Sequence, residues 1–298
     1  MIGWLGPLFW PYAYWDLVDY AYWPYAYDAF WPYAYDDLYV GMFGPYAYEG
    51  PAYGGTLRSS RRTRASQQAS TIVCGERAPA VTDWPIQQIA QTIQPDQLQE
   101  AALNDLKAGA AKALETLRSA CPDDLPSTPP GRVAAMRKRV ETMLAALDMV
   151  QRPLERLYGS LSDEQKARFN AVSPETNVGR PTRRANRTPD PAQVCRVQAV
   201  KATDIPTDLV DREIRPTEAQ RVALNKLKDA TQRAADVVSA GCPTEQTFTP
   251  PGRIAAMEQR LSAMLEAIKI MQPALEDFYG SLSDEQKARF NVLGAQQS

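Results

Sequence analysis

Two stretches of this chain carry apolar side chains at steps of three and four residues. After Pro95 these are Leu103, Leu106, Ala110, Ala113 and Leu117, and after Pro216 they are Leu224, Leu227, Thr231, Ala234 and Val238. That spacing gathers them on one face of a helix. A proline in the first turn fits, because its missing N–H would find no partner there. A longer run follows Pro130: Val133, Met136, Val140, Met143, Leu147, Val150, Leu154 and Leu157, continuing to Leu161. Its counterpart is Ile254, Met257, Leu261, Met264, Ile268, Met271, Leu275 and Phe278, continuing to Leu282. The period, sustained over four heptads, predicts a long helix with a continuous apolar seam. Pro153 and Pro273 fall late in these helices, where each removes a backbone donor and should bend the axis. A shorter helix is expected to begin near Asp83 and again near Asp204, each two residues ahead of a proline. No strand pattern occurs beyond the first sixty residues, so the predicted fold class is all-α.

The parallel seams reflect a duplication. Cys74 and Cys195 are 121 residues apart, as are Cys121 and Cys242, and Thr128-Pro-Pro-Gly-Arg132 and Thr249-Pro-Pro-Gly-Arg253. Pairing 74–171 with 195–292 at this offset without a gap gives 44 identities in 98 positions. Each copy is of domain size, so two tandem homologous domains are expected. The segments 57–73 and 172–194 are basic and read as solvated linkers, with contact to anionic lipid or polysaccharide as an alternative. Residues 293–298 form a short tail.

Residues 1–56 differ in kind. Of the chain's 27 aromatic residues, 20 lie in 1–55, built on a Pro-Tyr-Ala-Tyr repeat that begins at Pro11, Pro24, Pro32 and Pro45. The recurrent prolines forbid a continuous helix, and in extended backbone both rings of each Tyr-Ala-Tyr fall on one side. The reading is an aromatic-rich, low-complexity segment of short extended pieces or polyproline-like turns. A tether, an interfacial anchor using Trp10, Trp23 and Trp31 at a membrane surface, and a contact surface for glycan or protein all suit this composition. The apolar run Ile2 to Phe9 is too short to span a bilayer, and no basic residue follows Met1 as a signal peptide would require.

Composition narrows the chemistry. Among 298 residues there is no histidine, which removes the commonest general base and metal ligand and excludes Ser/His and Cys/His nucleophilic catalysis. Lys plus Arg number 33 against 35 acidic residues, and this balance argues against nucleic acid as a partner. No phosphate-binding glycine loop or nucleophile motif appears, and adjacent acids such as Asp163 and Glu164 point apart on a helix. Neither an enzyme nor a cofactor or metal site is expected.

The four cysteines, Cys74, Cys121, Cys195 and Cys242, fall two per copy at equivalent places. Cys74–Cys121 with Cys195–Cys242 is the simplest of three connectivities. Closing a loop of about 48 residues should contribute roughly 4 kcal/mol on the chain-entropy model. Disulfides imply an oxidising compartment, here the periplasm or cell envelope. Free thiols and a zinc site are the alternatives, the latter disfavoured by the absence of close cysteine spacing and of histidine.

The segment Gly159-Ser-Leu-Ser-Asp-Glu-Gln-Lys-Ala-Arg-Phe-Asn170 recurs unchanged at 280–291. Ser162 is placed as an N-cap, with Gln165 reaching back in a capping box, and Asp163 and Glu164 suit the helix dipole. Capping explains the residue types but not identity over twelve residues. Leu161-Ser162-x-x-Gln165 and Leu282-Ser283-x-x-Gln286 resemble the LTXXQ motif of the Spy/CpxP family of periplasmic proteins, with Ser for Thr. Members carry a second, earlier motif; Ile93-Gln-Pro-Asp-Gln97 fits that place loosely, and Ile214-Arg-Pro-Thr-Glu218 reads as having lost its glutamine. The resemblance implies long bent helices forming a cradle, usually from two subunits, that shields unfolded proteins without ATP or represses an envelope-stress sensor. The tandem would mimic that dimer within one chain. The family's zinc ligands are histidines, so that role is not carried over.

The expected function is an ATP-independent periplasmic chaperone or envelope-stress binding protein, with unfolded or envelope proteins, or further copies of itself, as partners. Met136, Met143, Met257 and Met264 are candidates for an adaptable client or interface surface, although their seam positions favour the core. The alternative is a structural envelope protein in which the helices are a spacer and the aromatic repeats anchor or self-associate.

Overall fold

The computed structural model of the chain describes residues 80–119, 128–171, 207–242 and 249–291. Among these residues every regular element is an α-helix, four per copy. Copy one comprises α1 (Ala80–Ile93), α2 (Gln97–Ser119), α3 (Pro129–Ser160) and α4 (Asp163–Ala171). Copy two comprises α5 (Thr207–Ile214), α6 (Glu218–Ala240), α7 (Pro250–Gly280) and α8 (Asp284–Asn291). The aromatic segment, both linkers, the C-terminal tail and Cys74, Cys121 and Cys195 lie outside the described residues.

The long helices start where two prolines follow a threonine. Thr128 Oγ1 accepts from Gly131 N at 3.3 Å, and Thr249 Oγ1 accepts from Gly252 N at 3.2 Å. Both prolines then occupy positions whose amides have no helical partner. Leu161 and Leu282 lie not inside their long helices but just beyond them, as the first residue after α3 and the second after α7, buried in the turn that leads to α4 and α8.

Pro95 and Pro216 precede their helices by two residues instead of sitting in the first turn, because Asp96 and Thr217 take the cap position between. The start of the first helix also departs from the sequence reading. In copy one it reaches back to Ala80, so that Asp83 is internal, and in copy two it begins at Thr207, three residues after Asp204.

Packing follows the seams. In each copy the second helix lies along the third, α2 on α3 and α6 on α7, and the two long helices α3 and α7 pack against each other. Buried residues from both copies join one continuous apolar core. On α3 these are Val133, Val140, Met143, Ala146, Leu147, Val150, Leu154 and Leu157, and on α7 they are the equivalent Ile254, Leu261, Met264, Ala267, Ile268, Met271, Leu275 and Phe278. The tandem therefore folds copy against copy through its longest apolar faces.

The interior prolines act differently in the two long helices. Pro153 frees the carbonyl of Met149, four residues back. There α2 presents Gly109, where a Cβ would meet the Met149 oxygen at 2.6 Å and Pro153 Cγ at 3.3 Å. Glycine is thus what lets α2 approach the proline site. In copy two the proline is shifted by one register, Pro273 falling opposite Arg152, and the position equivalent to Gly109 is a buried Ala230.

Candidate functional site

The twelve-residue block repeated in both copies forms the turn from α3 into α4 and from α7 into α8. Ser162 caps α4: its Oγ accepts from Gln165 N at 3.3 Å, while Ser162 N donates to Gln165 Oε1 at 2.9 Å. Ser283 and Gln286 repeat this at 3.3 and 3.0 Å. A second capping box sits at the start of α2. Asp96 Oδ1 accepts from Gln99 N at 2.9 Å and Asp96 N donates to Gln99 Oε1 at 3.1 Å. Thr217 and Gln220 form the same box in copy two.

The earlier motif is therefore displaced from the place the sequence reading gave it. Its glutamine is Gln99 and not Gln97, and copy two has kept it as Gln220. The cap residue, Asp96 or Thr217, fixes the register, because only the residue three positions on reaches the cap amide.

The two capping glutamines of each copy meet. Gln99 Nε2 donates to Gln165 Oε1 at 3.0 Å, and Gln165 Nε2 donates to Gln99 Oε1 at 2.7 Å. Each second amide hydrogen goes to a backbone carbonyl. Gln99 Nε2 donates to Ser160 O at 2.9 Å, and Gln165 Nε2 donates to Ile93 O at 3.0 Å. Since each Oε1 also accepts from its own cap amide, both donors and both lone pairs of each side chain are used. Copy two reproduces the arrangement: Gln220 to Gln286 at 2.8 Å and back at 3.0 Å, with Ser281 O at 2.8 Å and Ile214 O at 3.1 Å as the carbonyl acceptors. Gln99 and Gln220 are buried, at 6% and 8% exposure. An amide pair with one member buried, the other half-buried and every site satisfied fastens three chain segments at one point: the end of the first helix, the start of the second and the turn into the fourth.

The rest of the block supports this clasp. Leu161 and Phe169 are buried, and Phe169 lies against the Tyr158 ring with centroids 6.1 Å apart. Asn170 Nδ2 donates to Tyr158 Oη at 3.1 Å, and Lys166 Nζ stands 5.7 Å from the centre of the same ring. In copy two Tyr279, Phe290 and Lys287 repeat these contacts, and Phe290 also meets Phe278 edge-on at 5.6 Å. Packing thus accounts for much of the identity that capping alone left unexplained. Asp163, Glu164, Ala167 and Arg168 are exposed; the helix dipole favours the charges of Asp163, Glu164 and Arg168, and nothing in the structure explains why the four are invariant between the copies.

Met143 and Met264 are buried in the core shared by the two copies and offer no surface to a client; packing of the seam claims them. The side chains of Met136 and Met257 lie outside the described residues, as do Trp10, Trp23 and Trp31. Cys242 follows α6 and is disulfide-bonded to a cysteine outside the described residues. Among the described residues, no three Cys, Asp or Glu side chains gather as a metal site would require. No described helix is long and apolar enough to cross a membrane.

The model of the LTXXQ motif family matches the chain twice, over residues 81–173 and 203–294, each match containing one clasp. No curated protein and no solved structure matches the chain.

Proposed function

Because the chain belongs to the LTXXQ motif family in both of its copies, we propose that it is a periplasmic protein that holds unfolded or envelope proteins without ATP. The observation that carries this reading is the duplicated clasped unit: two Spy/CpxP-like copies joined through α3 and α7 into one body, as a pair of subunits would be. A bridged Cys242 supports an oxidising compartment. The clasps consist of amides whose hydrogen-bonding sites are all occupied, so they supply rigidity and leave no group for acid–base work. We therefore read the protein as a binding protein and not an enzyme.

The composition of residues 1–56 favours a second reading, in which the helices are a spacer and the aromatic segment anchors to membrane surface or glycan, or self-associates. Light scattering from a chemically denatured client, diluted into ATP-free oxidising buffer, separates the two. The full chain and a chain lacking residues 1–56 should both suppress aggregation at near-stoichiometric ratios. Suppression by neither, with envelope binding lost on deletion, would leave the scaffold reading standing.

A further inference from the structure

The described surface is poor in apolar side chains. Leu98 and Val222 are the large hydrophobic residues it exposes, and the seams are buried between the copies. A protein that holds apolar clients needs a face that this closed form covers, and the geometry indicates where it lies. We propose that α1 and α5 are displaceable helices, and that the floor beneath each is the docking site for an amphipathic segment of a client polypeptide. The proposal rests on the holding function argued above and names its binding surface.

The covering helices have diverged while the floor has not. Aligned at the duplication offset, Ile86–Ile93 and Thr207–Ile214 share only the terminal isoleucine among eight positions. The elements they pack on are α2 and α4 for α1, and α8 for α5. The large buried residues of α4 and α8 and of the turns before them, which both covering helices share as their floor, are the same in both copies: Leu161 and Phe169 match Leu282 and Phe290. One kind of floor thus accepts two unlike helices. What they share is an apolar stripe, Ile86, Ile89 and Ile93 in α1, reduced to Val210 and Ile214 in α5. A client segment with apolar residues at i, i+3 and i+7 presents the same stripe.

The connection to the body suits release. Gln94 and Arg215, directly after the two helices, hold φ at 49° and 50°, a left-handed conformation costly for a residue with a Cβ, and each is followed by proline. The strain is relieved when the helix swings away. Opposing it, the last carbonyl of each helix, Ile93 O or Ile214 O, accepts from the clasp glutamine Gln165 or Gln286. The clasp is then a latch, and clasp and strained joint push the equilibrium in opposite directions.

That opposition makes the test. The probe is a labelled peptide with the α1 sequence, compared by fluorescence anisotropy with a scrambled peptide lacking the stripe, on the full oxidised chain. Apparent affinity follows the population of the open form. Gln165→Ala combined with Gln286→Ala should bind the probe about tenfold more tightly than the parent. Gln94→Gly combined with Arg215→Gly should bind about fivefold more weakly, since glycine removes the strain. Hydrogen exchange should rise on probe binding within 80–93 and 207–214, with α3 and α7 unchanged. Equal binding of both peptides, exchange rising across α3 together with α1, or glycine variants that bind as tightly as the parent would overturn the proposal. The glycine pair decides the matter even if the alanine pair fails to fold. Probe binding with these signs, but no suppression of client aggregation, would remove the holding function and leave the site. Suppression without probe binding would do the reverse.

Discussion

Replacing Gln165 by leucine removes an amide that makes four hydrogen bonds: to Gln99 in both directions, to Ile93 O, and from Ser162 N. The Ser162 amide is exposed and can turn to water, so its loss amounts to the capping term, about 1 kcal/mol. The Gln99 amide and the Ile93 carbonyl cannot, because both residues are buried, at 6% and 0% exposure. A buried polar group left without its partner costs about 1–3 kcal/mol. The single substitution should therefore destabilise the body by about 3–7 kcal/mol, less a little recovered from the added apolar surface. Gln99→Leu strands Gln165 and Ser160 O in the same way. The double variant strands neither glutamine, because each has lost its partner together with its own need for one. Its cost should fall short of the sum of the singles by about 1–3 kcal/mol. Urea unfolding of the oxidised chain followed by circular dichroism at 222 nm supplies all four corners of the cycle. Additive costs would refute the coupling of the two amides, and a single substitution costing under about 1 kcal/mol would refute the burial argument.

Three further outcomes follow from the same geometry. Gly109→Ala forces a methyl against the Met149 carbonyl and the Pro153 ring and should cost about 1–3 kcal/mol by urea denaturation, whereas Ala230→Gly at the equivalent position in copy two should cost about 1. Phe169→Ala empties a fully buried site against Tyr158 and should cost about 3–5 kcal/mol in the same assay. The Asp105–Arg156 pair spans α2 and α3 at 3.2 Å with both side chains more than half exposed, and copy two holds Lys226 and Asp277 at these positions. Asp105→Lys alone should cost less than about 1 kcal/mol, and adding Arg156→Asp should restore the loss at low salt, an effect that fades in 1 M salt.

The all-helical architecture was legible because hydrophobic periodicity is set by helix geometry, and in the seams from Val133 to Leu157 and from Ile254 to Phe278 every seam side chain that the structure describes is buried. The duplication was equally plain from the fixed spacing. The clasp was half legible. Ser162 and Gln165 announce a capping box, but that the box's glutamine meets another 66 residues earlier is a tertiary fact no local pattern carries. The capping glutamine of the earlier box lies two residues beyond Gln97 because its register follows the cap residue Asp96 and not Ile93 and Pro95. Fidelity of Gln99 and Gln220 at the 121-residue offset was the signal that would have found it. The buried methionines show the limit of composition: a soft side chain in a seam reads as adaptable surface until the partner helix is known.

The proposed function depends on two copies behaving as one folded unit, and differential scanning calorimetry of the full oxidised chain tests this directly. A shared core predicts a single transition for the helical body, with calorimetric and van't Hoff enthalpies in agreement, moved down by Gln165→Leu in copy one and equally by Gln286→Leu in copy two. Two transitions, each displaced by only one of the substitutions, would mean that the copies fold independently and would contradict the single body on which the proposed function stands.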